Sequence, residues 1–182
     1  MNISYRFANE NDAYGIAYVS AYSWMETYNK LLPKKYLEDR INNIDSRVEK
    51  TKYFIKNHPN YLVAIDDDKV IGICEYEKSD DEKRLGYGKV GALYVLEKYQ
   101  GYGIGKELFK KAINGLIGMG YNKMYLECMS GNDTINFYTK YDGIIEETID
   151  FPISRVGNVK ADIVVYNDLK DLYEKLCSSK RK

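Results

Sequence analysis

Val90-Gly91-Ala92-Leu93-Tyr94-Val95-Leu96-Glu97-Lys98-Tyr99-Gln100-Gly101-Tyr102-Gly103-Ile104-Gly105-Lys106 reads as a strand, a glycine-rich turn and the opening of a helix. Val90 to Leu96 is an apolar run of strand length. After the glycines, Ile104, Leu108, Ala112 and Leu116 recur every fourth residue, flanked by Phe109 and Ile113. Lys106, Glu107, Lys110, Lys111 and Asn114 fall largely on the other side, so the segment is an amphipathic helix, stopped by Gly118 and Gly120. A turn of this kind suits phosphate. Glycines let a ligand approach the backbone, and the first N–H groups of the helix point outward at the positive end of its dipole. Lys98 and Lys106 add local positive charge. A tight turn whose glycines only allow close helix–strand packing has the same letters, and glycine spacing does not separate the two. Gly86-Tyr87-Gly88-Lys89-Val90-Gly91 fits the letters of a dinucleotide fingerprint, but a charged segment precedes it and a strand follows it, so it is rejected.

Upstream, a short strand (Ile3 to Phe7) leads to Asn11 and Asp12, which can cap a helix to about Tyr28, with Ile16, Val19, Ala21 and Trp24 near helical spacing. Pro33 opens a second helical region that ends before Pro59. Tyr61 to Ile65 and Val70 to Tyr76, joined by Asp66-Asp67-Asp68-Lys69, form a hairpin. Ser79 to Arg84 is a charged, solvated loop. Downstream come a strand (Met124 to Met129), a helix (Asp133 to Tyr141), a hairpin of two strands (Ile144 to Ile153, Val159 to Tyr166) turning at Val156-Gly157-Asn158, and a short C-terminal helix within 167–178. The pattern is α+β (α/β) in a single domain over 1–182, with its core at about 3–166.

With 182 residues, 45% of them hydrophobic and 30% charged, the chain can bury a core without staples and is neither disordered nor collagen-like. Lys+Arg and Asp+Glu stand at 27 each, so no global field draws it to nucleic acid or an anionic membrane. No run reaches a membrane span, and the N-terminus lacks the order of a signal peptide. Three scattered cysteines, Cys74, Cys128 and Cys177, suit a reducing cytoplasm. His58 is the only histidine, which leaves a zinc cluster or a serine hydrolase almost nothing to work with; before Pro59 it reads as a helix end. The 19 tyrosines fit the codon bias of an AT-rich genome.

Leu93 to Lys106 resembles the acetyl-CoA-binding segment of the GNAT superfamily of N-acetyltransferases: Gln100, Gly103 and Gly105 fill that family's Arg/Gln-x-x-Gly-x-Gly/Ala signature. Phe137-Tyr138-Thr139-Lys140-Tyr141-Asp142-Gly143 is similar to its later Phe-Tyr-x-Lys-x-Gly-Phe helix end. The element order agrees over about residues 3–166. The resemblance implies a mixed, largely antiparallel central sheet flanked by helices, and an enzyme moving acetyl from acetyl-CoA, without metal, to a primary amine of a small molecule or peptide. Neither nucleic acid nor membrane is an expected partner, and a homodimer is allowed. It further implies that Leu93, Tyr94 and Val95 face the pantetheine arm and that backbone from Gln100, Gly101, Tyr102, Gly103, Ile104, Gly105 and Lys106 wraps the pyrophosphate. Asn132, Phe137 and Lys140 line the cofactor, and Tyr138 lies near the sulfur as general acid. Departures are Gly131 where the family often has Asn, Asp142-Gly143-Ile144 at the helix end, and Lys89 where many members carry a Glu in the strand before the loop.

That last departure leaves the base to be found. Glu75 and Glu77 share a strand face and are the candidates, Glu75 first; solvated carboxylates on an outer face are the alternative. Trp24 and Tyr28 on the first helix wall the acceptor pocket on the family's pattern, a core role being the alternative for Trp24. Glu26, Glu38 and Asp39 either attract a cationic acceptor or are helix surface. Cys128 packs as a small apolar residue. A non-catalytic acyl-CoA sensor of the same fold is the rival function, and a protein using the loop for another nucleotide the third.

Overall fold

The stripe at Ile104, Leu108, Ala112 and Leu116 is buried to 1% exposure or less in the computed structural model, which describes residues 1–178. The elements in chain order are β1 (Ile3–Phe7), α1 (Ala13–Tyr28), α2 (Lys34–Asn42), α3 (Ile44–Asn57), β2 (Tyr61–Asp66), β3 (Lys69–Lys78) and β4 (Gly88–Val95). They continue with α4 (Ile104–Gly118), β5 (Met124–Met129), α5 (Ile135–Thr139), β6 (Ile144–Ile153), β7 (Gly157–Tyr166) and α6 (Leu169–Ser178). One seven-stranded sheet has the order β1-β2-β3-β4-β5-β7-β6. The pairs β1–β2, β2–β3, β5–β7 and β6–β7 are antiparallel. β4 and β5 run parallel, registered from Gly88↔Met124 to Val90↔Leu126. The sheet is therefore mixed and largely antiparallel, with helices flanking it, as the sequence implies.

The chain falls into two compact units: Met1–Glu75 with Ala92–Ala112, and Tyr76–Gly91 with the residues from Ile113 onward. In the first, Ala13, Ile16 and Val19 of α1 and Ile55 of α3 pack on Tyr61, Val63 and Ile65 of β2, Ile73 of β3 and Leu96. Burying each such aliphatic side chain contributes roughly 1.5–3 kcal/mol. Alternation in β3 turns Gly72 the other way, where a Cβ would lie 3.1 Å from Leu108 of α4 and 3.3 Å from the Tyr94 carbonyl. The cap before α1 sits earlier than Asn11. Asn9 accepts the Asn11 N–H (3.0 Å), while the buried Asp12 carboxylate accepts the Asn9 N–H and two bonds from Arg6. The helical region from Pro33 is two helices. It breaks at Asn43, whose backbone leaves helical geometry (φ −108°, ψ 23°) as its amide donates back to the Asp39 carbonyl.

In the second unit Leu169, Leu172 and Leu176 of α6 are buried, and Tyr125, Ile163 and Val165 form a core under Tyr87 and Ile149. Gly88 lies beneath Leu116, 2.6 Å from where a Cβ would stand, and a Cβ on Gly115 would overlap the Tyr76 ring. The segment Ser79–Arg84 corrects the expectation of a solvated loop. Arg84 is 4% exposed and donates to Asp81, Glu146 and Glu147, because residues 82–84 form a tight turn capped by Asp81. The last hairpin turns at 154–156 instead of at Val156-Gly157-Asn158: Arg155 takes the left-handed backbone (φ 68°), and Gly157 and Asn158 already belong to β7.

Candidate active site

α4 begins at Ile104, anchored by a side chain 1% exposed, and its first i→i−4 bond runs from the Glu107 N–H to the Gly103 carbonyl (3.0 Å). The N–H groups before it lie ahead of the helical ladder. Among the described residues no hydrogen bond engages the main-chain N–H of Gly101, Tyr102, Gly103, Ile104 or Gly105. Gly101 and Gly103 both take φ 81°, and nothing lies within 4 Å of the place a Cβ would occupy on either. Side chains there are thus excluded by backbone geometry and not by crowding. The space over the loop is open. Gln100 holds the turn from inside, its amide donating to the Val95 carbonyl at the end of β4 (3.0 Å). Tyr102 is exposed and Lys106 half-buried. On the helix-packing side Gly105 makes only an ordinary approach to Val95, 3.6 Å from its Cγ2.

β3 presents Glu75 on the face opposite Gly72, opposite Tyr61 in the β2–β3 register. Its side chain is only 12% exposed, with Oε1 3.8 Å from Nδ1 of His58. Glu75 is not a solvated carboxylate of an outer face. Burial, helped by the charge of Glu75 and by Tyr94, pushes the Tyr61 hydroxyl well above the ordinary phenol range, and the Tyr94 ring packs against the same core. Glu77, two residues on, shares the strand face and is half-buried. His58 does end α3, its N–H bonded to the Phe54 carbonyl (2.9 Å) and its ring stacked on Phe54 at 3.9 Å. Its place in the sequence marks a helix end and gives no local sign of its approach to Glu75. The hairpin register could have found it, since Tyr61 follows His58 by three residues and faces Glu75.

Tyr138 sits in the one-turn α5, 6% exposed. Its carbonyl accepts the Tyr166 hydroxyl (2.8 Å) and the N–H groups of Tyr141 and Gly143. Asp142 takes φ 62°, and the next residue must be glycine: a Cβ at Gly143 would stand 2.7 Å from Val164 Cγ1 and 2.9 Å from both the Tyr138 carbonyl and the Tyr166 hydroxyl. Gly143→Ala is expected to cost about 1–3 kcal/mol by overpacking, lowering Tm by about 2–4 °C per kcal/mol; an unchanged melting curve would contradict this. Asn132, 9% exposed, accepts the Thr134 N–H with its side chain (3.0 Å) and so organises the entry to α5. Phe137 packs edge-on to Tyr138 and Tyr141, and Lys140 is exposed. Burial pushes the Cys128 thiol up to about 11, which keeps it protonated and apolar in character.

Lys89, where the family often has a carboxylate, is paired instead. Its Nζ is 3.0 Å from Asp80 and 3.8 Å from Glu127 of β5. Burial opposes its charge, yet those carboxylates outweigh burial and hold the ammonium above its ordinary value. Burial raises Glu127 against the pull of Lys89. Together with Tyr125 and Glu147 they line a cavity of about 340 Å³.

On α1, Tyr28 is 7% exposed and meets Trp24 edge-on (5.1 Å), while Arg40 of α2 lies 3.9 Å over the Trp24 ring. Glu26 accepts the Glu97 N–H (3.0 Å) in the turn after β4. Glu38 and Asp39 are paired with Lys34 and Lys35.

Residues 20–143 match the model of the acetyltransferase (GNAT) family. The chain belongs to that family. An acyl-CoA-dependent N-acetyltransferase is the enzyme class this membership carries, and the sensor and general nucleotide-binder readings are set aside. The acetyltransferase is 28% identical over 140 residues, 76% of this chain and 79% of the relative, to the uncharacterized N-acetyltransferase YuaI of Bacillus subtilis (strain 168). Its fold is similar to the paia N-acetyltransferase of Thermoplasma acidophilum, solved in complex with coenzyme A. The TM-score is 0.68 at 20% identity, covering 92% of this chain and 99% of that one. It is also similar to yncA of Salmonella typhimurium, a putative acetyltransferase solved with acetyl-CoA. There the TM-score is 0.67 at 16% identity, covering 92% and 94%. No helix among the described residues is long and apolar enough to cross a membrane.

Proposed function

We propose that the chain works as one acetyltransferase domain in the cytoplasm, passing acetyl from acetyl-CoA directly to a primary amine of a small molecule or peptide. The observation that carries this is the loop at the start of α4: five successive main-chain N–H groups without a partner among the described residues, beneath open space kept clear by two left-handed glycines. Such a cradle fits a diphosphate. The backbone from Gln100 to Lys106 grips it, Leu93, Tyr94 and Val95 offer strand backbone to the pantetheine arm, and Asn132, Phe137 and Lys140 line the cosubstrate. The relatives solved with coenzyme A and with acetyl-CoA support the choice of ligand.

The chemistry asks three things of the protein. An alkylamine with pKa ~10.4 is neutral in roughly 1 part in 2,500 at pH 7, a penalty of about 4.6 kcal/mol. Glu75, shielded from solvent and steadied beside His58, takes that proton, directly or through water, with Glu77 as the second candidate. A backbone N–H near Tyr94 or Val95 meets the developing oxyanion, an interaction whose loss typically costs ~3–4 kcal/mol. Tyr138 returns a proton to the departing thiolate, which its hydroxyl can do without first carrying charge. Trp24 and Tyr28 wall the acceptor.

The test is CoA release from acetyl-CoA over a panel of amines. Turnover is expected with at least one of them, and Glu75→Gln should lower kcat/KM for it about 10²-fold with acetyl-CoA affinity unchanged. Tight acetyl-CoA binding with no turnover on any amine overturns the activity, and full turnover in Glu75→Gln moves the base elsewhere. A mass measurement in solution tests whether the chain forms a homodimer.

A further inference from the structure

On the helical side of the first unit, Ile41 and Ile44 pack together on Ala17 and Ala21 of α1. This brings the neighbouring Arg40, and Arg47 one turn further on, to the same end of the helices, and neither is ion-paired among the described residues. Arg40 of α2 lies flat over Trp24 (3.9 Å) and 6.0 Å from the Tyr36 ring centre. Among the described residues its one hydrogen bond goes to the Ser20 hydroxyl on α1 (3.2 Å), and its Nε is buried with no partner. Arg47 of α3 has neither a hydrogen bond nor an ion pair among the described residues. Burial and the neighbouring charge of Arg40 hold its guanidinium below the ordinary arginine value. The nearby acids do not compensate, for Glu38 and Asp39 are engaged by Lys34 and Lys35. Both arginines are half-buried, so each keeps an open side.

Two like charges held near each other and partly out of water destabilise the free protein unless something of opposite sign joins them. The guanidinium fork matches the paired oxygens of carboxylate and phosphate, and a stacked ring holds its plane ready for them. We propose that Arg40 and Arg47, with Trp24 and Tyr36 beside them, form a binding site for an oxyanion group, carboxylate or phosphate, of a small molecule. Where Trp24 and Tyr28 wall the acceptor pocket, that group belongs to the acceptor, which is then an amino acid or an amino phosphate and not a plain alkylamine; this part rests on the function proposed above.

Trp24 is the only tryptophan beside 19 tyrosines, so fluorescence excited where tryptophan absorbs and tyrosine does not reports on this site. Titration of the full chain with inorganic phosphate and with acetate, at ionic strength held constant with chloride, should give a saturable change for at least one anion, and the one that responds names the group. Arg47→Gln leaves the Arg40–Trp24 stack in place and should weaken that binding about tenfold or more, the scale of one lost charge-assisted bond. Arg47→Lys, which keeps the charge but loses the fork, should fall between them. Without anion, Arg47→Gln should melt no lower than the wild type, because it removes a repulsion; a merely structural arginine would lower Tm. A response no larger than that of chloride, or one unchanged in Arg47→Gln, overturns the site. Acceptor pairs that differ only in a carboxylate then test its use: the carboxylate member should show the lower KM in the wild type and lose that advantage in Arg47→Gln. Saturable binding without such an advantage overturns the assignment to the acceptor. Binding with no turnover on any amine breaks the acetyl-transfer reading and leaves the anion site standing.

Discussion

Tyr138→Phe is expected to lower kcat by about 10²–10⁴-fold, the range ascribed to a positioned general acid, while the Kd of acetyl-CoA stays within about threefold. The substitution removes one hydroxyl from a residue whose ring and backbone are otherwise held. The Tyr138 carbonyl keeps its bonds from Tyr166 and Gly143, and the ring keeps its edge contact with Phe137. A loss of activity therefore cannot be blamed on a displaced α5, provided the melting curve is preserved. Rapid-mixing measurement of CoA release, followed from pH 6 to 10, separates the outcomes. Unchanged turnover over that range would remove Tyr138 as the proton donor, and loss of acetyl-CoA binding would make it a binding residue instead.

Gly103→Val is expected to raise the Kd for acetyl-CoA on the order of a hundredfold, with the fold retained. Two effects act together. A left-handed backbone costs a non-glycine residue roughly 1–2 kcal/mol, and a β-branched one tolerates it least, so the loop relaxes away from φ 81° and turns its N–H groups off target. The added methyls also stand in the space now open above the loop. Since, apart from the adjoining residues of the loop, no described atom lies within 4 Å of the new Cβ, the core has no reason to yield. Calorimetric titration with CoA beside a thermal melt checks both halves, and wild-type affinity in the variant would contradict the diphosphate cradle.

The strands and α4 were legible because their periodicity is set by burial. Ile104, Leu108, Ala112 and Leu116 are spaced for a helix with one dry face and are dry, and Met124 to Met129 is an apolar run that becomes β5 without adjustment. What the letters hid was decided by partners distant in sequence. Arg84 looked like one charge in a solvated run, yet Glu146 and Glu147 meet it from β6 and make its burial tolerable. His58 looked like a helix end and is one, but pairing of β2 with β3 brings it to Glu75. Asn43 gave no local sign that it would divide a helical stretch. At the loop the glycine spacing could not tell a phosphate cradle from close packing. The open space over Gly101 and Gly103 shows only that packing does not require them, close packing being the work of other glycines, Gly72, Gly88 and Gly115.

Those three glycines limit how this enzyme can be re-engineered. At Gly72 the approach of Leu108 leaves little room for even a methyl group; at Gly88 and Gly115 there is none. A mutagenesis library aimed at altered substrate preference should therefore spare these codons, since losses at the seated positions would be failures of assembly mistaken for failures of recognition.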